Sequence, residues 1–300
     1  MRNDDSVTET IKPRKKYSQF RDVWNRFRRS KTAMAGLFIV IILILAALFA
    51  DVIAPGNDMN PGFDMQDPDN VFARPSVRHP FGTDNFGRDI FARVIHGSRI
   101  SLAVGFIVVG ISMIIGTILG SIAGFYGKVA DNIIMRLIDT LLSIPGILLA
   151  ISIAAALGPG LFNVMVSVGI SAIPSYARIV RASVLTIKEQ EFIEAARSVG
   201  ANNLRIIARH ILPNSLAPII VQATIGLASA ILSAAFLSFL GIGIQLPTPE
   251  WGAMLSAGRR FIRIHPHLTI FPGLAIVTVV LGLNMMGDGL RDAFDPKLKK

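Results

Sequence analysis

Asp139 and Asp288 sit at the margins of long apolar runs and are the residue type that an intramembrane aspartyl protease pairs. Such proteases share a Gly-x-Gly-Asp pattern, and the position of its first glycine is here Met285. Arg136 and Arg291 stand at helical neighbour spacing from the two acids, close to where the runs meet water. Two charged pairs therefore explain these acids more simply than a protease. His265-Pro266-His267 offers two imidazoles, but no carboxylate or cysteine lies nearby and the proline stiffens the pair. A connecting loop is the plainer reading, and no metal is expected. Arg88 and Asp89 carry both charges that a zwitterionic ligand would meet, in an acidic, proline-rich segment running from Asp58. They suit a docking surface or part of a gate better than direct ligation. The absence of cysteine excludes thiol catalysis, disulfides and Cys-ligated metals. No Gly-x-x-x-x-Gly-Lys-[Ser/Thr] phosphate loop is present, so the chain has no site of its own for nucleotide hydrolysis. No catalytic residue is assigned.

Glu191 to Pro213 is of another kind. Glu191-Phe192-Ile193-Glu194-Ala195-Ala196-Arg197-Ser198-Val199 reads as a short helix and Gly200 as a break. Ala201 to His210 reads as a second amphipathic helix with Leu204, Ile207 and Ile211 on one face, and Leu212-Pro213 as its stop. The stretch is too polar to cross a bilayer and too patterned for a simple connector. A compact helical hairpin joined rigidly on both sides is suited to receiving force from a partner; a plain link between two helices is the alternative.

The elements around that loop are membrane spans. Only 17% of the 300 residues are charged, against about 25% in an ordinary soluble domain, and 52% are hydrophobic. The charges bunch between windows that have almost none, which is the mark of spans needing about 20 apolar residues each. Six are expected: 33–54, from Ile100 to Gly127, from about Ile133 to Gly158, from Leu161 to Ile187 with a kink at Pro174, from Ser215 to Gly243, and from Leu268 to Gly287. Gly158-Pro159-Gly160 is the turn that divides the third from the fourth. Gly116, Gly120 and Gly124 form a small-xxx-small stripe that lets another helix approach closely. About 30 polar and charged residues precede the first apolar run, so no cleavable signal peptide is expected.

Six spans place both termini on one side. That side holds 22 of the 30 Lys and Arg residues, and the other 8. The positive-inside bias makes the richer side cytoplasmic, so the net charge of +10 reflects topology and not nucleic-acid binding. Residues 1–32 form a cytoplasmic tail, disordered over 1–16, then an amphipathic helix with Phe20, Val23, Trp24 and Phe27 facing anionic lipid. Residues 55–99 are extracytoplasmic, 100–291 form the transmembrane domain with the 188–214 loop, and 292–300 are a cytoplasmic tail.

Glu194-Ala195-Ala196, Gly200 and Ile211-Leu212-Pro213 resemble the EAA loop of binding-protein-dependent ABC importers. The supporting stretches are His79-Pro80-Phe81-Gly82-Thr83-Asp84, Gly87-Arg88-Asp89, Pro247-Thr248-Pro249-Glu250-Trp251-Gly252 and Gly287-Asp288-Gly289-Leu290-Arg291-Asp292. Together they resemble the C-type permease of dipeptide and oligopeptide importers over about residues 20 to 300. The resemblance implies an all-α integral membrane protein of the type I importer permease fold in the bacterial inner membrane. It implies a B-type permease partner, two cytoplasmic ATPase subunits that bind ATP and Mg, and an external solute-binding protein. It also implies that Glu191, Glu194, Ala195, Ala196, Gly200, His210, Leu212 and Pro213 belong to the ATPase-coupling loop. Gly82, Thr83, Asp84, Gly87, Arg88, Asp89, Glu250 and Trp251 would serve docking or an outer gate, although Trp251 read alone is an interfacial anchor. A dipeptide or oligopeptide is the expected substrate, with glutathione or a nickel chelate as alternatives. The rival from another class is an ion-driven secondary transporter. It would need an ionisable residue near the bilayer midplane and often an internal repeat. Neither is found in the middle of spans one, two, four, five or six.

Overall fold

The computed structural model describes residues 19–56 and 62–295, so the expected disordered tail at 1–16 and the last five residues lie outside it. The described residues contain helices and no strand. A short helix α1 (Gln19–Arg29) leads through Ser30, whose hydroxyl caps the next helix by accepting from Ala33 N at 3.3 Å, into α2 (Lys31–Leu48). Then follow α3 (Ile90–Tyr126), α4 (Lys128–Leu142), α5 (Gly146–Leu157) and α6 (Leu161–Lys188). After α7 (Glu191–Ser198) comes the long α8 (Asn203–Phe239), then α9 (Trp251–Gly258) and α10 (His267–Phe294).

Five of these, α2, α3, α6, α8 and α10, are long and apolar enough to span a bilayer. The sixth crossing is the pair α4 and α5, bent by 87° at their junction. The expected third span is therefore not one helix. Pro145 lacks an N–H for the helical ladder and disfavours helical geometry at the residue before it, which accounts for the break. Whether such a bent pair crosses or folds back is decided by its neighbours. A Cβ on Gly116 would meet Tyr176, one on Gly120 would meet Val180, and one on Gly124 would meet Val184. Residue numbers rise together along both helices, so α3 and α6 run parallel. A parallel neighbour requires that 127–160 return across the full thickness, and α4–α5 makes that return.

The same glycines explain why the two helices lie so close. A Cβ on Gly116 would stand 2.5 Å from Tyr176 Cβ, one on Gly120 2.5 Å from the Ala177 carbonyl, and one on Gly124 2.9 Å from Val184 Cβ. In lipid no hydrophobic drive pushes helices together, so this backbone approach supplies the contact. Helix α2 packs antiparallel on α10, with Gly36 against Gly282 and Ala33 against Gly289. Phe27 of α1 is buried against Ala33 and Ala293, with Val23 packed beside it. Part of the apolar face of α1 therefore meets protein and not lipid, while Trp24 stays half exposed.

Two spans outrun their expected limits. Helix α3 begins at Ile90, not Ile100, because the polar residues that end its apolar run are satisfied by the chain itself. Arg93 donates to the carbonyls of Phe63 and Pro247, both at 3.1 Å, and His96 Nε2 donates to Ala54 O at 3.0 Å. Arg99 pairs with Asp51 at 2.9 Å and donates to the Ala47 carbonyl at the end of α2. Helix α10 continues past Gly287 to Phe294, held by the α1 contact. Neither expected acid pair forms, and Asp288 makes no ion pair among the described residues. Asp139 pairs with Arg178 of α6 at 2.6 Å, not with Arg136, and Asp131 pairs with Arg181 at 2.5 Å.

Candidate functional site

The parallel α3 and α6 place the two candidate regions at opposite ends of the bundle. The 62–89 segment leads into the start of α3, and 188–214 follows the end of α6.

At the first end, charges are buried and paired. Arg88 is 4% exposed. Its Nε donates to Asp84 Oδ2 at 2.8 Å, its Nη1 to Asp64 Oδ1 at 3.3 Å, and its guanidinium lies 4.6 Å from the Phe86 ring centroid. The other oxygen of Asp84 accepts from the backbone N–H groups of Phe86 at 2.8 Å and Arg88 at 3.0 Å. Gly82 and Gly87 take φ of +78° and +73°, the left-handed turns that fold this segment back on itself. Thr83 is fully buried, accepting from Ala73 N at 2.8 Å and donating to the Asn70 carbonyl. Asp89 caps α3 by accepting from Ala92 N at 3.1 Å and pairs with His79 at 2.8 Å.

Glu250 and Trp251 join the same end from the far side of the sequence. Glu250 caps α9, its two oxygens accepting from Gly252 N at 2.9 Å and Ala253 N at 2.8 Å. Burial pushes its carboxyl above the usual carboxylate range, against those two N–H groups and the Ser238 hydroxyl, which pull it down. Trp251 is fully buried, and its indole N–H donates to the Val94 carbonyl at 3.0 Å. It is a core residue and not an interfacial anchor. Thr83, Asp84, Arg88, Glu250 and Trp251 are all buried within the chain. Arg88 and Asp89 are both engaged within the chain, Asp89 remaining partly exposed. His265, from the pair considered for a metal, stacks on Phe72 with centroids 4.4 Å apart. Asp64 and Arg93 complete the network and were missed in the sequence; the only signal was a second basic residue five positions after Arg88 at the edge of an apolar run.

At the other end the loop is anchored from below and open above. Ile193 of α7 is buried with Phe125, Val180, Val184, Ile206, Ile211 and Ile219, and Ala196 is buried as well. Arg197 places its guanidinium 5.6 Å from the Phe125 ring centroid. Within the Glu194-Ala195-Ala196 triplet, Ala196 thus packs inward while Glu194 and Ala195 are exposed. Helix α7 ends in a paired closure: Gly200 N donates to Arg197 O at 2.9 Å and Ala201 N to Ala196 O at 3.1 Å. Gly200 takes φ +82°, and a Cβ there would meet nothing within 4 Å. Conformation, not crowding within this chain, calls for glycine.

The second helix departs from the expected pattern. It does not stop at Pro213 but runs on as α8, capped at its start by Asn202, whose side chain accepts from Arg205 N at 2.8 Å. Residues Ile207–Ile211 form a π-helical turn. A proline in a continuing helix has no N–H for the carbonyl four residues back and presses on it; a wider turn just before Pro213 relieves both. The turn also shifts the register. Ile206 and Ile211, five residues apart, are the fully buried pair, while Leu204 is 74% exposed. Leu204 joins Phe192 and Val199 as exposed apolar side chains beside Glu191 and Glu194. Phe192 and Val199 were not singled out in the sequence, and Leu204 was expected on one face with Ile207 and Ile211; apolar residues in an otherwise polar loop were the available signal. His210 and Leu212 are half-buried, and Pro213 is exposed.

Residues 116–300 match the model of the binding-protein-dependent transport system inner membrane component. The chain belongs to this family. Residues 18–75 match the N-terminal transmembrane domain of oligopeptide transport permease C. A dipeptide transport system permease protein from Alkalihalophilus pseudofirmus is 50% identical over 94% of this chain and 91% of its own length. A glutathione transport system permease protein from Escherichia coli O6:K15:H31 is 49% identical over 96% of this chain and 94% of its own. Among solved structures, an inward-facing methionine ABC transporter matches 69% of this chain and 98% of its own, with a TM-score of 0.56 and 22% identity, which shows a shared fold. The chain is thus the permease component of an importer, an inner-membrane transport protein and not a catalytic one.

Proposed function

We propose that this permease forms half of the path of an ATP-driven importer of short peptides, and that α7 with the start of α8 receives the motion that drives it. The observation that carries the reading is the mixed character of that loop. Ile193, Ile206 and Ile211 pack it against α3 and α6 and Ala196 is buried with them in the loop, while Glu191, Phe192, Glu194, Ala195, Val199 and Leu204 face outward without a partner among the described residues. A displacement applied to that face passes directly into α6 and α8.

The energy comes from two cytoplasmic ATPase subunits, which hold ATP and Mg. This chain's own contribution is to seat them and to move. Its second half-path is a B-type permease, and an external solute-binding protein delivers the substrate. The excess of Lys and Arg on the 188–214 side supports placing that side in the cytoplasm. In that orientation the 62–89 segment and α9 form a rigid outer unit that backs the docked binding protein or an outer gate. The buried residues act there by shaping the unit, not by contact. The relatives named for dipeptides and for glutathione, itself a tripeptide, favour short peptides as the substrate class.

The test is reconstitution. The full complex should take up dipeptide in response to ATP, and this chain alone should show neither uptake nor ATPase activity. Uptake by the purified chain alone in a proton or sodium gradient would overturn the proposal. Glutathione in place of dipeptide, at equal binding-protein loading, decides between the two substrate readings. Cysteines placed at Asn70 and Thr248 in this cysteine-free chain should react with an impermeant thiol reagent in intact cells, and one at Leu204 should not; the reverse pattern would invert the topology.

A further inference from the structure

Between α3, α5, α6 and α8 lies a cleft of about 230 Å³. Its polar lining is Ser112, Ser171, Ser175, Tyr176, Gln222, Ser229 and Ser233, and it contains no Asp, Glu, Lys, Arg or His. Gln222, Ser229 and Ser233 are seven and then four residues apart, so they share one face of α8.

Serine and threonine in a membrane helix ordinarily satisfy their hydroxyls by donating to a carbonyl of the preceding turn. This chain does so at many positions. Ser112 donates to Val108 O at 2.5 Å, Ser167 to Asn163 O at 2.6 Å, Ser215 to Ile211 O at 3.0 Å and Thr224 to Ile220 O at 3.0 Å. Ser175, Ser229, Ser233 and Gln222 depart from that habit. Their side chains have no hydrogen-bond partner among the described residues, and Ser175 and Ser229 are exposed on the chain's outside. In hydrocarbon such groups would each cost on the order of 1–3 kcal/mol or more. Other outward faces of the spans look different: α2 exposes Phe38, Ile42 and Leu45, and α10 exposes Leu274, Val277 and Leu281. The cleft side of α6 and α8 is therefore built for water or for a polar ligand.

The kind of ligand follows from the groups. A hydroxyl and a carboxamide each donate and accept, as a peptide bond does. A wall of such groups can hydrogen-bond the backbone of any peptide, and its neutrality neither attracts nor repels a charged side chain. Several weak sites in series also permit release, which passage requires. We infer that this cleft is the substrate-contacting wall of the permease's half-path and holds short peptides by their amide backbone, without selecting on side-chain charge. The inference rests on the permease reading proposed above and assigns the residues that carry it.

The absence of native cysteine makes the test direct. In the complete transporter in nanodiscs, Ser175→Cys, Ser229→Cys and Ser233→Cys should react with a hydrophilic thiol reagent at least ten times faster than Leu274→Cys and Val277→Cys, and modification at Ser229→Cys should stop uptake. In a second arm, the triple variant Gln222→Leu, Ser229→Leu, Ser233→Leu should keep a normal membrane level and normal ATPase retention. Its uptake should fall at least fivefold relative to the unsubstituted complex. The factor should be the same, within about twofold, for dipeptides of net charge −1, 0 and +1. Equal labelling at all five positions, or a fall confined to one charge class, would overturn the inference. Failure of the unsubstituted complex to import any peptide would refute the substrate reading instead, and with it the peptide part of this one, whatever the labels show.

Discussion

The two ends of this permease solve opposite problems. At the 62–89 end the charges are inside: Arg88 and Arg93 are buried, and Asp84 serves both of them as well as two backbone N–H groups. At the 188–214 end they are outside: Glu191, Glu194, Arg205 and Arg209 are exposed and have no ion-pair partner among the described residues. Buried charges tolerate no loss of a partner, because the survivor stays desolvated. Exposed ones lose almost nothing, because water replaces the partner. The difference teaches that the first end is complete as folded, whereas the second presents groups whose partners must come from another chain. Substitution should therefore damage folding at one end and function alone at the other.

The largest effect should come from Asp84→Ala. It strands Arg88, 4% exposed, with only the more distant Asp64, and a broken buried pair costs about 3–5 kcal/mol. The level of folded chain in the membrane and its melting temperature in detergent should both fall sharply. A normal melt would break the comparison. Next in size is Gly120→Val, which drives a side chain into the Ala177 carbonyl and separates α3 from α6. Overpacking of that kind costs about 1–3 kcal/mol, and thermal melting should register it. Gly200→Ala should cost about 1 kcal/mol, from the left-handed backbone alone, since its Cβ would have open space. A drop as large as that of Gly120→Val would mean that the turn is buried. Smallest is Leu204→Ser, expected within about 0.5 kcal/mol of the unsubstituted chain, because the side chain is 74% exposed. It should nevertheless retain less ATPase subunit on pull-down, and a destabilised chain with normal retention would place Leu204 in the core.

The spans and the loop were legible in the sequence because hydrophobic length and the small-residue stripe are local signals. What could not be read was the compensation over distance. The start of α3 looked polar because Arg93, His96 and Arg99 are satisfied by Phe63, Pro247, Ala54 and Asp51, residues far away along the chain. Arg88 looked available because nothing in the sequence ties it to Asp64, 24 residues earlier. The bend at 143–145 did carry a mark, Pro145, but a long apolar run obscured it. The register of the second loop helix was hidden for another reason. A regular helix repeats about every 3.6 residues, so Ile206 and Ile211 do not look like one face, and only the π-turn brings them together.

The account stands most directly on Glu194, an exposed carboxylate on α7 without a partner among the described residues. Glu194→Lys, expressed with the second permease, the ATPases and the binding protein, should reach the membrane at the normal level and melt normally. It should retain less ATPase and lose at least nine-tenths of ATP-driven peptide uptake, because a reversed charge opposes a docked partner. Normal uptake by Glu194→Lys, with ATPase retention unchanged, would show that α7 is only a connector and would contradict the division between the two ends.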